Sequence, residues 1–205
     1  MSDVCPVEAV VFDVGRVIVQ WDMRALFSKL IDDPERLDWF CDTVVTEDWH
    51  YQCDAGRDVD EMVAERKRAF PEQAALLDAY AARFLETIPG PIEGTSELID
   101  RLAARGVPLY AITNFGSLFW SQFRPTMPVL AHFRDVVVSG DEKISKPDAR
   151  IFDLAAARFG HEPAKMLFID DNPANIAAAA ALGWQVHHFA DAQALEQDLV
   201  ERGLL

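Results

Sequence analysis

The chain has 205 residues, 50% of them hydrophobic and 26% charged, with 13 Phe and 5 Trp, which suits one well-filled core carrying an insertion. No apolar run approaches the roughly 18 residues of a membrane-spanning helix. The formal charge of −15 excludes the basic footprint that nucleic acid needs, and an anionic substrate would require a local cation.

The opening MSDVCPVEA lacks a positive segment followed by an apolar one, so no secretory leader is expected. Cys5, Cys41 and Cys53 are odd in number and lack CxxC spacing, which fits a reducing cytoplasm and argues against zinc. Residues 8–19, EAVVFDVGRVIV, hold an apolar run that stops at Asp13. Such a run fits a strand buried on both faces of a parallel sheet, with Asp13 at its carboxyl end, where open α/β sheets place ligands. Helical periodicity then appears at 22–31, in a helix from Pro34 capped by Asp33, and at 58–70 and 71–88, with a polar and aromatic passage at 47–58 between them. The breaker PGP at 89–91 closes this stretch.

From residue 91 strands and helices alternate: a helix at 94–106, a strand at 107–114, a short helix near 116–123, a strand at 134–140, a helix at 146–160, a strand at 165–171, a helix at 172–183 capped by Asn172, a strand at 184–189 and a last helix at 191–203. Alternation predicts an α/β fold: a Rossmann-like doubly wound parallel sheet with an inserted all-α cap. The core is expected from 1–16 and 90–205, and the cap from 17–89.

Four strand ends carry polar groups: Asp13, then Thr113 and Asn114, then Lys146, then Asp170 and Asp171. In a parallel sheet these converge on one edge. Clustered carboxylates repel one another unless a cation sits among them, and oxygen-only ligands favour Mg²⁺. Lys146, Thr113 and Asn114 add groups suited to a phosphate. A Lys146–Asp170 ion pair without further function would explain those two residues, but not all four strand ends.

FDVG (12–15), AITN (111–114), SKPDARIF (145–152) and FIDDNPANI (168–176) resemble, in order, the four motifs of the haloacid dehalogenase superfamily. Within it, FDxGxV resembles the glucose-1-phosphate phosphatase-like branch. The resemblance implies a Mg²⁺-dependent phosphatase acting on a small-molecule phosphate ester, while charge and hydropathy imply no nucleic-acid or membrane partner. Asp13 would be the nucleophile, and Asp13, the Gly15 carbonyl and Asp171 would hold the metal. Asp170 would support Lys146, and Thr113 and Asn114 would hold phosphoryl oxygens. Most phosphatases of this superfamily carry a second Asp where Gly15 stands, and Arg16 replaces what is usually Gly. Arg16, Trp21 and His50 are candidates for substrate contact, together with Trp49 and Tyr51, and His50 for proton transfer near neutral pH. Trp120 fits either the cavity or the packing, and His187 and His188 receive no role. The alternatives are a 2-haloacid dehalogenase and a weakly catalytic binding scaffold. Such dehalogenases carry an aromatic residue and GT after the nucleophile and lack paired acids in motif four.

Overall fold

The computed structural model describes residues 6–205, so Cys5 and most of the residues read for a leader lie outside it. Strands β1 (Ala9–Phe12), β2 (Leu109–Thr113), β3 (Asp135–Val138), β4 (Met166–Asp170) and β5 (Gln185–His188) form one sheet in the order β3-β2-β1-β4-β5. Every pairing is parallel. The order reverses between β1 and β4, which makes the crevice at their carboxyl ends the switch point of the sheet. Register brings the chemistry level there. Phe12 pairs with both Ala111 and Ile169, so Asp13 stands beside Ile112 on one side and Asp170 on the other.

Helices α1 (Met23–Phe27), α2 (Pro34–Trp39), α3 (Glu47–Asp54), α4 (Val59–Ala69) and α5 (Ala74–Ala82) all fall between β1 and α6 (Thr95–Ala104). They are followed by α7 (Ser117–Phe123), α8 (Ser139–Glu142), α9 (Ala149–Phe159), α10 (Pro173–Ala181) and α11 (Ala192–Glu201). Successive β1 residues face opposite sides. Ala9 and Val11 pack with Ile151, Phe152 and Phe159 of α9, while Val10 and Phe12 join a second cluster containing Leu98 and Leu102 of α6 and Leu195 of α11. The second cluster runs on without a break into the helical insertion through Phe27, Phe40, Tyr80 and Phe84. The chain enters and leaves that insertion side by side: Gln20 donates to the Gly90 carbonyl at 2.8 Å, and Ile92 to that of Ile18 at 2.8 Å. Among the described residues no helix is long and apolar enough to cross a membrane.

Four local expectations need correction. The passage at 47–58 contains α3, capped by the Thr46 hydroxyl accepting from the Trp49 amide at 3.1 Å. The stretch 71–88 breaks into α5 between two 3-10 turns, so that Phe84 leaves the helix and stacks on Phe119 at 3.8 Å between centroids. The helix at 22–31 ends at Phe27. The helix at 146–160 begins only at Ala149, capped by Asp148, which leaves Lys146 in the preceding loop.

The end of α3 meets the core across three glycines. A Cβ on Gly116 would lie 3.0 Å from Cys53 Sγ, one on Gly56 3.1 Å from the Gly140 carbonyl, and one on Gly140 2.6 Å from the Ser117 nitrogen. The Ser139 hydroxyl completes the joint by donating to the Asp54 carbonyl at 2.5 Å and accepting from the Phe115 amide at 3.0 Å. A methyl group forced into such a space typically costs about 1–3 kcal/mol. Gly140→Ala should therefore lower the unfolding free energy by that amount, with a matching fall in the denaturant midpoint. Gly90→Ala, whose Cβ would meet nothing within 4 Å, should stay within about 0.5 kcal/mol of the parent. Equal midpoints for the two variants would show that the joint relaxes freely.

Candidate active site at the carboxyl edge of the sheet

The centre of the site is the Lys146 ammonium, 1% exposed. It donates to Asp170 Oδ2 at 2.7 Å and to the Ile112 carbonyl at 2.9 Å, and lies 2.9 Å from Asp13 Oδ1. Burial alone would push its pKa down, but the charges of Asp13 and Asp170 outweigh that and hold it above the usual lysine value. Asn114 fixes the Lys146 main chain from both sides, donating to its carbonyl at 3.0 Å and accepting from its amide at 2.9 Å. The Asn114 amide, expected to hold phosphoryl oxygens, is thus spent on positioning Lys146. Thr113 is fully buried, its hydroxyl has no partner among the described residues, and it does not line the cavity.

Asp13 Oδ1 also accepts from the Val14 amide at 2.6 Å, which leaves Oδ2 without a protein partner among the described residues. Burial lifts the Asp13 pKa above the usual carboxylate value, against the pull of Lys146. Asp170 is fully occupied: it takes Lys146, both contacts of the Asn175 amide at 3.0 Å, and the Asn172 amide at 2.8 Å. Asn175 was missed by the sequence reasoning. Its signal was a polar residue in the first turn of an alanine-rich helix.

Carboxylate oxygens of Asp13, Asp170 and Asp171 all lie within 4.8 Å of one another. Three acids against one ammonium leave negative charge uncompensated. Burial and the neighbouring Asp170 accordingly raise the pKa of half-buried Asp171. With Asp170 committed to Lys146 and Asn175, the oxygens left over are Asp13 Oδ2 and the Asp171 carboxylate, beside Gly15. This is a hard, all-oxygen donor set that fits Mg²⁺.

Above these groups lies a cavity of about 330 Å³. Its core wall includes Asp13, Gly15, Asn114, Lys146 and Asp171, and its far wall Trp21, Glu47, Asp48, His50, Tyr51 and Asp54. Arg16 lines the rim in the left-handed region at φ 59°, a conformation costing a non-glycine residue about 1–2 kcal/mol. Its guanidinium pairs with Glu47 at 2.5 Å and lies 4.9 Å over the Trp21 ring. The Tyr51 hydroxyl meets Ser145 Oγ at 2.5 Å and donates to the Lys146 carbonyl at 3.3 Å. Trp49 is buried against Tyr80 and Trp120 against Phe115 and Phe123, so both pack the interior and neither lines the cavity. His187 pairs with Asp198 at 2.9 Å, and His188 donates to the Asp171 carbonyl at 2.9 Å.

The expectation that His50 titrates near neutrality is overturned. Its ring is stacked between Trp21 and Phe84, and Nδ1 meets the Tyr80 hydroxyl at 2.7 Å. Burial depresses its pKa to about 3. Asp54, which sequence reasoning passed over, behaves oppositely: burial pushes its carboxyl up to about 7.

Residues 7–183 match the family model described as haloacid dehalogenase-like hydrolase. Phosphoglycolate phosphatase of Escherichia coli is 29% identical over 108 residues, covering 53% of this chain and 43% of that one. An (S)-2-haloacid dehalogenase of Pseudomonas putida is 29% identical over 96 residues, covering 47% of this chain and 42% of that one. The matched segments thus span less than half the length of these relatives. The magnesium complex of the HAD family enzyme bt-2542 from Bacteroides thetaiotaomicron shares the fold, with a TM-score of 0.69 at 18% identity, over 91% of this chain and 94% of that one.

The His50 environment has a measurable consequence. Below pH 6.5 an unfolded imidazole binds a proton, while the folded one stays neutral down to about 3. The unfolded state then holds more protons, and the His50 contribution to stability falls as pH falls through that window, by up to about 1.4 kcal/mol per unit. Urea unfolding from pH about 7 to about 4 should show the stability advantage of the parent over His50→Gln shrinking with that slope. A constant difference would mean that the folded protein protonates His50 freely.

Proposed function

Because the chain belongs to the haloacid dehalogenase-like hydrolase family, we propose that it is a Mg²⁺-dependent phosphatase that hydrolyses a small phosphorylated metabolite through an aspartyl-phosphate on Asp13. The observation that carries this reading is the state of Asp13. One oxygen is pinned by Lys146 and the Val14 amide, and the other is left free at the cavity beside Asp171. In the first half-reaction Asp13 Oδ2 attacks phosphorus in line and the bond to the leaving oxygen breaks. In the second, water attacks the same phosphorus and restores the carboxylate, so that one difficult displacement becomes two easier ones.

Lys146 holds Asp13 in place and offsets charge near the transferring group, while Asn114 keeps the Lys146 backbone fixed. Thr113, at the end of β2, has a hydroxyl unpartnered among the described residues, but it is buried off the cavity wall and takes no part in this reading. Mg²⁺ held by Asp13, the Gly15 carbonyl and Asp171 would supply the remaining neutralisation, as phosphoryl transfer requires. Residues 17–89 act as the cap over a core formed by the chain before residue 17 and after residue 89, and the cap selects the organic part of the substrate.

The magnesium complex of bt-2542 and the phosphoglycolate phosphatase relative favour this reading. The equally similar haloacid dehalogenase favours metal-free attack of the same Asp13 on carbon. A panel of phosphate esters and 2-haloacids, assayed with Mg²⁺ and with chelator, separates the two. Phosphate release that chelator abolishes is the expected result; halide release in chelator would replace the phosphatase reading. Asp13→Asn should abolish phosphate release from every ester while the protein stays folded. Asp171→Asn should weaken Mg²⁺ binding by calorimetry with little change in thermal midpoint. Unchanged Mg²⁺ affinity would remove Asp171 from the ligand set.

A further inference from the structure

Cleavage of an alkyl phosphate leaves an alkoxide that needs a proton as the bond breaks, and a positioned acid is typically worth about 10² to 10⁴-fold in such a step. The end of β1 supplies none, because Gly15 has no side chain and a Cβ there would meet nothing within 4 Å. Most of the cavity wall is committed elsewhere. Asp170 is tied to Lys146 and Asn175, and Glu47 to Arg16. The Tyr51 hydroxyl is held by Ser145, and His50 is locked on Tyr80. Asp48 is exposed. Asp13 and Asp171 belong to the nucleophile and metal set.

One buried carboxyl of the far wall remains. Asp54, at the last position of α3, is 7% exposed and lines the same cavity as Asp13 and Lys146. The Gly116 amide, just past Asn114 and Phe115, faces its carboxyl. The three-glycine joint and the Ser139 hydroxyl on the Asp54 carbonyl hold this residue against the loop after β2. The placement is therefore built into the fold.

We propose that Asp54, supplied by the helical insertion, is the general acid and base of the reaction. Its carboxyl proton passes to the leaving oxygen as the phosphorus bond to that oxygen breaks and the bond to Asp13 forms, giving the free alcohol. In the second half the Asp54 carboxylate takes a proton from water as its oxygen bonds phosphorus and Asp13 is released. The sum is ester plus water to alcohol plus phosphate, with Asp54 protonated again.

The surroundings match this duty. Burial raises the carboxyl to about 7, against the opposing influence of the Cys53 thiol, the Gly116 amide and Lys146. The titratable groups facing it are His50 Nε2 and Cys53 Sγ, each 3.6 Å away on its own helix, Lys146 from the core, and Tyr80 of α5, whose hydroxyl is 3.8 Å from Cys53 Sγ. His50 is held neutral, and burial keeps the Cys53 thiol and the Tyr80 phenol protonated. Lys146 is then the cation that favours the Asp54 carboxylate once its proton has gone.

The inference rests on the phosphatase reading, and the test separates the two. With Mg²⁺ present, Asp54→Asn should lower kcat/KM for an alkyl ester such as glycerol 2-phosphate by about 10² to 10⁴-fold. The p-nitrophenyl ester, whose leaving group needs no proton, should lose less than about tenfold. In the parent, alkyl-ester turnover should fall above pH about 7, where the acid is lost, and this limb should be absent for the p-nitrophenyl ester. The parent measurements also decide the matter if the variant folds poorly: a shallow dependence on leaving-group pKa is expected, and a steep one overturns the inference. An equal loss on both esters would reduce Asp54 to a structural residue. A parent that hydrolyses no ester of the phosphate panel, or an Asp13→Asn variant that still hydrolyses the aryl one, would instead overturn the phosphatase reading.

Discussion

Everything at the carboxyl edge hangs on the buried ammonium of Lys146. A single cation there contacts β1 through Asp13, β2 through the Ile112 carbonyl and β4 through Asp170. Those three acceptors stand level because of the strand register and not because of any local sequence signal. Removing two carboxylates and an ammonium from water is expensive, and buried ion pairs often fail to recover that cost in stability. The arrangement is better understood as positioning: the same contact that neutralises Asp13 fixes which of its oxygens remains free. Asn175 and the Asn172 amide do for Asp170 what Asn114 does for the Lys146 backbone, so each charged group is oriented by neutral partners.

The electrostatics of the cavity follow those of the molecule. The chain carries a net charge of −15, and at this edge of the cavity three carboxylates still face the single ammonium of Lys146, with Arg16 at the rim paired to Glu47. The opposite wall is acidic, with Glu47, Asp48 and Asp54. An anionic group would therefore be drawn to that edge only with a bound cation there, and a second anionic group in the same ligand would face carboxylates on the opposite wall. Trp21, stacked with His50 and half-buried, offers an apolar face between the two ends.

The sheet and its polar strand ends were legible because parallel strands buried on both faces read as uninterrupted apolar runs. Ala9 to Phe12 and Met166 to Ile169 have no exposed position to blur the pattern. Helix α3 was illegible for the opposite reason. Its buried face carries His50 and Asp54 beside Trp49 and Cys53, and hydrophobic periodicity counts the first two as polar. The burial of His50 depends on Tyr80, Phe84 and Phe119, 30 to 69 residues further along the chain. His50 was therefore read as titratable when its partners make it an apolar spacer, and Asp54 was passed over. Asn114 was placed correctly in the fold but given the wrong partner, because a loop entering from residue 145 occupies the amide first.

The glycine joint bears on how the two parts of such a molecule could be exchanged. Gly56 belongs to the helical insertion, whereas Gly116 and Gly140 belong to the sheet and its loops, and each leaves room for backbone or side chain of the other part or of its support. An insertion grafted from a relative would seat against this sheet only if its own chain were equally bare where Gly56 lies. Conversely, this insertion would ride outward on any host that carried a side chain at the position of Gly116, where a Cβ would meet Cys53. The unit of modular transfer is thus a matched surface of missing side chains rather than the helices themselves.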